Sequence, residues 1–544
     1  MDQNLNEKQI QAANKIDSFI NQSTSPIFYL LGYAGSGKTF LIGQIITKLL
    51  FNNQIEQIYI CAPTHQALSV IESAIKPNII QNDILDKNKT DKQINFMTIH
   101  KLLEFKPIIM TTDGSKIFKC TKESKFLKQL KTKLIIIDEC SMIPKEMVTE
   151  LEKYVQLYSI KIIFMGDKNQ LPPVGEPLSM VFTNIPTSYE HQILLDQIMR
   201  TKSPEIKEVC RIIRSWNKTD PLVNLLLPIH KKKLLSFKMY HKGQNYAESN
   251  WFKYTINKIN KNQIPIILPW KNDTVNFYNT IVRNCIYPNT DLTNFVVGDY
   301  VIFNNFYRSI DDNYFHTSTM VKILELSEKQ TDVLFDWTSL KIDNPITVVD
   351  KKFNVMIKKL GNISLQKSNF KICQFKVERV NQHDSKQNDF NPKQPDFNPK
   401  QPNFNPKQND LKTKENDLKT KENDPKIDLA NQYTNTIQTI HRSDLTRYET
   451  MINIIREHIE FFFKSNGNSE LLTKKLWTIF HSRLIDPYAQ IRLGYSTTIY
   501  KSQGSTFPIV IVDLNDMACL DANEFQLALY TAAGRAGNEL RFII

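Results

Sequence analysis

The chain has 544 residues, too many for one ordinary domain, and its length predicts roughly three or four compact units. A hydrophobic content of 41% allows sizeable cores, while a formal charge of +13 and a pI of about 9.1 favour an anionic partner, either nucleic acid or a membrane surface. Seven scattered cysteines without a Cys-x-x-Cys pair argue against a disulfide framework or a zinc ribbon. The polar start MDQNLNEKQIQ shows no signal peptide, and no apolar run approaches the ~20 residues that span a bilayer. The expectation is an intracellular protein of a reducing compartment, not secreted, with nucleic acid rather than a membrane as partner.

From the N-terminus, residues 1–215 alternate short apolar runs with helical patterns. The runs Pro26–Leu31, Ile58–Ala62, Leu134–Ile137 and Ile160–Met165 are rich in Ile and each is followed by Gly, Pro or Asp, which predicts buried parallel strands of an α/β sheet. The first run leads into Gly32-Tyr33-Ala34-Gly35-Ser36-Gly37-Lys38-Thr39, a G-x-x-x-x-G-K-S/T loop, and then into the helical stretch Phe40–Leu50. Strand, glycine loop and helix in that order let backbone N–H groups and a helix N-terminus cradle phosphates. Lys38 is expected to reach the β- and γ-phosphates of ATP, and Thr39 to ligate Mg²⁺.

Between residues 107 and 120, Asp113-Gly114 separates two β-like runs, Ile108–Thr112 and Ser115–Lys119, which predicts a hairpin with a two-residue turn. The third apolar run delivers Asp138 and Glu139, about 100 residues after the loop. Asp138 is the candidate Mg²⁺ carboxylate and Glu139 the candidate base for the attacking water. A second α/β set is read from Ile264–Leu268 and Ile509–Val512. Residues 294–380 look β-rich, with runs at Tyr300–Phe303 and Asp332–Phe335. Residues 389–430 hold six seven-residue units, such as DFNPKQP and DLKTKEN, with eight acidic and eight basic residues. Proline in the first three units and a single apolar position per unit exclude a coiled coil and predict a disordered linker.

Further motifs in order carry a resemblance. Leu5–Ala12 contains Gln9. Ala62-Pro63-Thr64-His65 and Thr98-Ile99-His100 follow, then Gly166–Val174 with Gln170, Leu195–Thr201 with Arg200, Thr498-Ile499-Tyr500-Lys501-Ser502-Gln503-Gly504, and Leu529–Ala536 with Arg535. From residue 5 to 536 the set resembles superfamily 1 helicases of the phage Dda and bacterial RecD type. The resemblance implies that Gln9 recognises adenine. It places Gly32, Gly35, Ser36, Gly37, Lys38, Thr39, Asp138, Gln503 and Gly504 around ATP and Mg²⁺. It makes Gln170 a γ-phosphate sensor, and Arg200 and Arg535 fingers for transition-state charge, though either arginine taken singly would be a surface cation. Pro63, Thr64, His65, Thr98, His100, Thr498, Tyr500 and Lys501 become contacts to a single strand. The hairpin with Asp113, Gly114 and Phe118 becomes a strand-separating pin.

The sequence thus predicts two RecA-like parallel-sheet units. The first comprises 1–81 and 121–215, interrupted by a pin subdomain at 82–120. The second comprises 216–293 and 440–544, interrupted by a β-rich insertion at 294–388, which the resemblance makes SH3-like, and by the linker. The expected function is ATP-dependent DNA unwinding, 5′ to 3′ by resemblance alone, on single-stranded and forked DNA. Replication or recombination proteins are possible further partners, and the chain is expected to act as a monomer. An RNA helicase, or a nucleotide-gated binding protein, remains open. Two departures from the family pattern stand out. Tyr500 replaces a histidine. Gly534 replaces a serine or threonine, which predicts a looser placement of Arg535.

Overall fold

The computed structural model describes residues 5–51, 57–81, 94–120, 124–128, 134–158, 160–183, 185, 189–231, 236–243, 245–288, 290–331, 335–367, 370–380, 434–466 and 469–544. The repeats at 389–430 and most of the run Asp332–Phe335 lie outside them. Among the described residues no helix is long and apolar enough to cross a membrane.

In chain order the first strands are β1 (Ile27–Gly32), β2 (Ile58–Ala62), β3 (Ile94–Thr98), β4 (Phe105–Ile109), β5 (Lys116–Cys120), β6 (Leu134–Ile137), β7 (Lys161–Gly166) and β8 (Gln192–Leu195). Six of them form a sheet in the order β3-β2-β6-β7-β1-β8, parallel throughout. Helices cover both faces, so the central strands are apolar on every residue rather than on alternate ones. β6 and β7 lie in the middle with β1 beside β7, and the loops that leave β1, β6 and β7 emerge together at their carboxyl ends, where an open α/β sheet binds its ligand.

The remaining strands are β9 (Phe237–Tyr240), β10 (Ile266–Leu268), β11 (Tyr300–Phe303), β12 (Tyr307–Arg308), β13 (Tyr314–Phe315), β14 (Met320–Thr331), β15 (Phe370–Arg379), β16 (Thr434–Ile440), β17 (Ile491–Leu493), β18 (Phe507–Asp513) and β19 (Ala536–Ile543). A second parallel sheet runs β10-β18-β19-β9, and a five-stranded antiparallel sheet runs β16-β15-β14-β11-β17. The heptapeptide segment therefore connects two paired neighbours, β15 and β16, rather than two separate units. Closing a long loop costs only logarithmically more than closing a short one, so the pairing tolerates it.

Three predicted boundaries are corrected. The helix Pro204–Ser215, assigned to the first unit, buries Ile206, Val209, Cys210 and Ile213 in the core of the second sheet, with Phe237, Ala528 and Leu540. Its i, i+3, i+4, i+7 stripe is one helix face, and that face chose the second sheet. Residues 294–388, read as β-rich, contain the helix Val348–Lys367. Residues 440–485, assigned to the second parallel unit, form the helices Arg442–Ser465 and Glu470–Ile479, continued by a π-helical turn at Phe480–Ile485. These helices pack on one another around Phe353, Leu360, Ile455, Ile459 and Trp477, as an arm with its own core beside the antiparallel sheet. Each helix carries a stripe too apolar to leave exposed, and the partner that covers it lies about 90 residues away in sequence, beyond the reach of local pattern reading.

Candidate nucleotide and nucleic-acid sites

The glycine loop turns at Gly35 (φ +77°) and Gly37 (φ +84°), conformations open to a residue without Cβ. Room is also tight. A Cβ on Gly35 would lie 2.5 Å from Arg200 Cβ, and one on Gly37 2.6 Å from Gln9 Nε2. Gly35 O accepts from the backbone N–H of Met199 and Arg200 (2.7 and 2.9 Å), so the segment after β8 is laced to the loop. Gln9 is buried and closes a capping box with Asn6 at the start of the helix Glu7–Asn21. One hydrogen-bond network therefore fixes the helix end and aims the amide at the loop.

Around the loop is a cavity of about 1000 Å³ lined by Lys38, Thr39, Asp138, Glu139, Gln170, Met199, Arg200 and Arg535. Ser36 Oγ is buried with no protein partner, and Lys38 Nζ donates to Gly32 O and Tyr33 O (2.7 and 3.3 Å). Thr39 Oγ1 lies 3.4 Å from Asp138 Oδ2. These are hard oxygen donors of the kind Mg²⁺ takes. Burial and the neighbouring Glu139 push the Asp138 carboxyl up to about 6, an unfavourable anion pair that a divalent cation would relieve. Glu139 itself sits in the left-handed region (φ +49°), a strained conformation for a residue with a side chain. Arg200 is pushed down to about 10, by burial first and by Arg535 second. Two guanidiniums at one cavity, Arg200 exposed at its mouth and Arg535 buried, favour a polyphosphate between them.

Arg535, 1% exposed, is held by three acceptors: Thr531 O (3.2 Å), Ser505 O (3.3 Å) and Gln170 Oε1 (2.8 Å). The last belongs to the other sheet unit. More bonds cross the same seam. Tyr530 OH donates to Asp167 Oδ2 (2.7 Å), Leu171 N donates to Thr531 Oγ1 (2.9 Å), and Gln503 Nε2 donates to Leu171 O (3.2 Å). Gln503 and Gly504 thus belong to the seam and do not line the nucleotide cavity. A Cβ on Gly504 would meet Ala67 at 3.3 Å. Asp167, Tyr530 and Thr531 lie within motifs of the sequence, but no local signal marks them as partners, because their pairing depends on which units face each other. The expectation that Gly534 loosens Arg535 is overturned. Gly534 has an ordinary right-handed φ of −66°, and its carbonyl accepts from Arg200 Nη1 (2.8 Å). A Cβ there would lie 2.9 Å from Ala34 Cβ across the seam. Glycine is required by close approach, not by backbone freedom.

A second, open cavity of about 380 Å³ lies between the first sheet and the hairpin, lined by His65, Thr98, His100, Lys106 and Phe118 among others. Phe118 is exposed, with its ring 5.1 Å from that of His100. Pro63 and Thr64 precede the helix His65–Gln81. Thr64, Thr98 and Thr498 each use Oγ1 to accept a backbone N–H three residues on (3.2, 3.3 and 3.4 Å), which leaves each hydroxyl proton free to donate to a phosphate oxygen. Lys501 is exposed. Tyr500 is half-buried against Trp270, ring centroids 5.3 Å apart, so part of its face is used in packing.

His65 also stacks on His316 of the strand-poor loop after β13, at 3.8 Å and 6° between planes. Nothing in the sequence singled out His316. Partial burial of its ring under His316 pushes His65 down to about 4 although the residue stays exposed overall, helped by the charges of His316, His100 and Lys101; burial and Arg379 push the half-buried His316 down as well. Both rings are therefore neutral near pH 7. Their folded values lie below the unfolded value of about 6.5, so the stack is fully stable above about pH 6.5 and loses stability as the pH falls from there toward 4. His316→Phe keeps the ring and removes one titration. Its melting temperature should fall less than that of the parent between pH 7.5 and pH 5 by calorimetry; parallel curves would show that the stack does not carry the linkage.

The hairpin is present, with β4 and β5 in register Ile109↔Lys116. The predicted two-residue turn is not: residues 111–114 form a four-residue loop. Gly114 (φ +70°) donates to Met110 O, and Asp113 Oδ1 accepts from Ser115 N and Oγ. Its tip is seated on the helical arm. Trp477 Nε1 donates to Thr111 O (3.2 Å), His481 Nε2 lies 2.8 Å from Gly114 O, and Lys116 Nζ pairs with Asp486 Oδ1 at 2.9 Å.

Residues 16–176 match the family described as AAA domain, and residues 493–543 the family described as UvrD-like helicase C-terminal domain. The protein R530 of Acanthamoeba polyphaga mimivirus, named as uncharacterized, is 45% identical over 99% of this chain and 100% of its own length. The RecBCD enzyme subunit RecD of Buchnera aphidicola is 30% identical over 32% of this chain and 28% of its own. The ATP-dependent DNA helicase PIF1 of Emericella nidulans is 26% identical over 34% of this chain and 24% of its own.

Proposed function

The chain belongs to the superfamily 1 helicases of the RecD/Pif1 type, and on that premise we propose that it is an ATP-driven DNA helicase that moves 5′ to 3′ on a single strand and separates duplex ahead of it. The observation that carries this reading is the 2.8 Å bond between Arg535 and Gln170 at the lip of the phosphate cavity. Lys38, Asp138 and Glu139 make half a hydrolysis site on one sheet unit. Arg535 completes it from the other.

On this reading Lys38 binds and orients the phosphates, Glu139 takes a proton from the attacking water, and Arg200 and Arg535 stabilise charge on the transferred phosphoryl. Mg²⁺, held by Thr39 and Asp138, would neutralise the β- and γ-oxygens. Gln170 touches Arg535, so a change at the γ-phosphate is felt at the seam. The clasps Asp167–Tyr530, Leu171–Thr531 and Gln503–Leu171 convert it into movement of one unit against the other. The threonine hydroxyls and His65, His100 and Lys501 are the contacts to the single strand, and the hairpin is the wedge at the fork. Both halves of the active site come from one chain, which supports action as a monomer.

The test is an unwinding assay on 5′-tailed and 3′-tailed DNA duplexes, with RNA duplexes alongside. Strand separation confined to 5′-tailed DNA, and lost in Lys38→Ala, is expected. Separation from 3′ tails reverses the polarity, preference for RNA changes the substrate, and nucleic-acid binding without turnover leaves a nucleotide-gated binding protein.

A further inference from the structure

The helical arm meets the five-stranded sheet around a cavity of about 510 Å³ that shares no lining residue with the nucleotide cavity. That size lies in the range of small-molecule pockets. Its walls include Phe295, Asn304, Thr439, Arg442, Arg456 and Tyr488. Two features of this wall are unexplained by the fold. First, Thr439 is 4% exposed and its Oγ1 has no hydrogen-bond partner, and Asn304 Oδ1 is likewise buried and unpartnered. Such atoms in a folded protein call for a partner. Second, the Arg442 guanidinium lies 4.5 Å over the Phe295 ring, and among the described residues neither it nor Arg456 makes an ion pair with a carboxylate. Arg456 donates only to the neutral Asn453 (3.2 Å). Burial pushes Arg442 down, and the nearby Arg283 adds to this, its own charge being paired with Asp299. Glu449 is the single acid in the lining, so two guanidiniums face one carboxylate.

Two forked cations and an apolar wall that includes Leu445 and Tyr488 describe a ligand with two parts. It has an anionic end that accepts from guanidinium forks and a flat apolar body. We propose that this cavity binds a nucleotide-sized organic phosphate, with the phosphate on Arg442 and Arg456 and the base against the apolar wall.

The cavity is linked to the hairpin by a short path. Ile485 lines it and closes the π-helical turn Phe480–Ile485, a feature frequent at functional sites. Tyr448, also in the lining, donates to Leu484 O. His481, in the same turn, holds Gly114 O at the hairpin tip. An occupant would brace the segment that grips the hairpin.

The probe is AMP, added to full-length Lys38→Ala protein so that the phosphate loop is weakened. Hydrogen exchange should slow at residues 434–445 and 485–491, and at 109–116 through the arm. Equilibrium dialysis with labelled AMP should give affinity that falls tenfold or more in Arg442→Gln/Arg456→Gln on the same background, with unchanged melting temperature. Pyrophosphate should bind more weakly than AMP, and malonate more weakly still. No AMP-dependent protection at 434–445, or equal affinity in the double variant, overturns the site. Pyrophosphate or malonate binding as tightly as AMP overturns the ligand class.

Discussion

Arg535→Lys is expected to lower ATP turnover by about 10³-fold or more, the loss seen when a finger arginine is removed from phosphoryl transfer, while nucleotide affinity changes only a few-fold. The reason lies in geometry rather than charge. Arg535 uses Nε, Nη1 and Nη2 on three different acceptors, two on its own unit and Gln170 on the other. Lysine retains the positive charge but offers one point in place of a fork. It cannot brace against Thr531 and Ser505 while reaching Gln170 and the phosphates together. Single-turnover hydrolysis separates the chemical step from binding, and a melting curve controls for the roughly 1–3 kcal/mol cost of leaving a buried acceptor unpaired. Turnover within tenfold of the parent would remove Arg535 from the catalytic role and leave it as a structural tie.

Gly114→Ala is the second large effect. It should reduce strand separation by about tenfold or more, while single-strand-stimulated ATP turnover stays within about twofold of the parent. Gly114 has φ +70°, where a Cβ costs about 1–2 kcal/mol on backbone grounds alone, and that Cβ would sit 2.3 Å from the Trp477 indole. The two terms together exceed the ~1.4 kcal/mol that corresponds to a tenfold shift in the docked population. The tip then leaves the arm and the hairpin, proposed as the wedge, loses its support. Trp477→Ala attacks the same contact from the other side but also opens the arm core, at about 3–5 kcal/mol, so its melting temperature must fall too. Lys116→Ala removes only an exposed ion pair and should change little. Full unwinding by Gly114→Ala would show that the hairpin works without the arm.

What the sequence determined by itself is the part of the protein whose chemistry is local. The phosphate loop needs glycines at positive φ, a lysine and a threonine within eight residues, and short Ile-rich strands deliver Asp138 and Glu139 to the end of a sheet. Periodicity and spacing carry that information directly. The cavity that gathers Lys38, Thr39, Asp138, Glu139, Gln170, Arg200 and Arg535 draws on segments each readable on their own. The tertiary structure decided what depends on two distant surfaces meeting. It assigned the helix Pro204–Ser215 to the second sheet, built an arm from helices about 90 residues apart, and placed Gln503 at the seam. It explained Gly534 by the approach of Ala34, a neighbour 500 residues away. It also supplied partners that no motif announces: His316 on His65, and Trp477 and His481 under the hairpin tip. An apolar stripe or a lone ring states that something must cover it, but the burial energy is non-directional, so only the folded chain specifies what does.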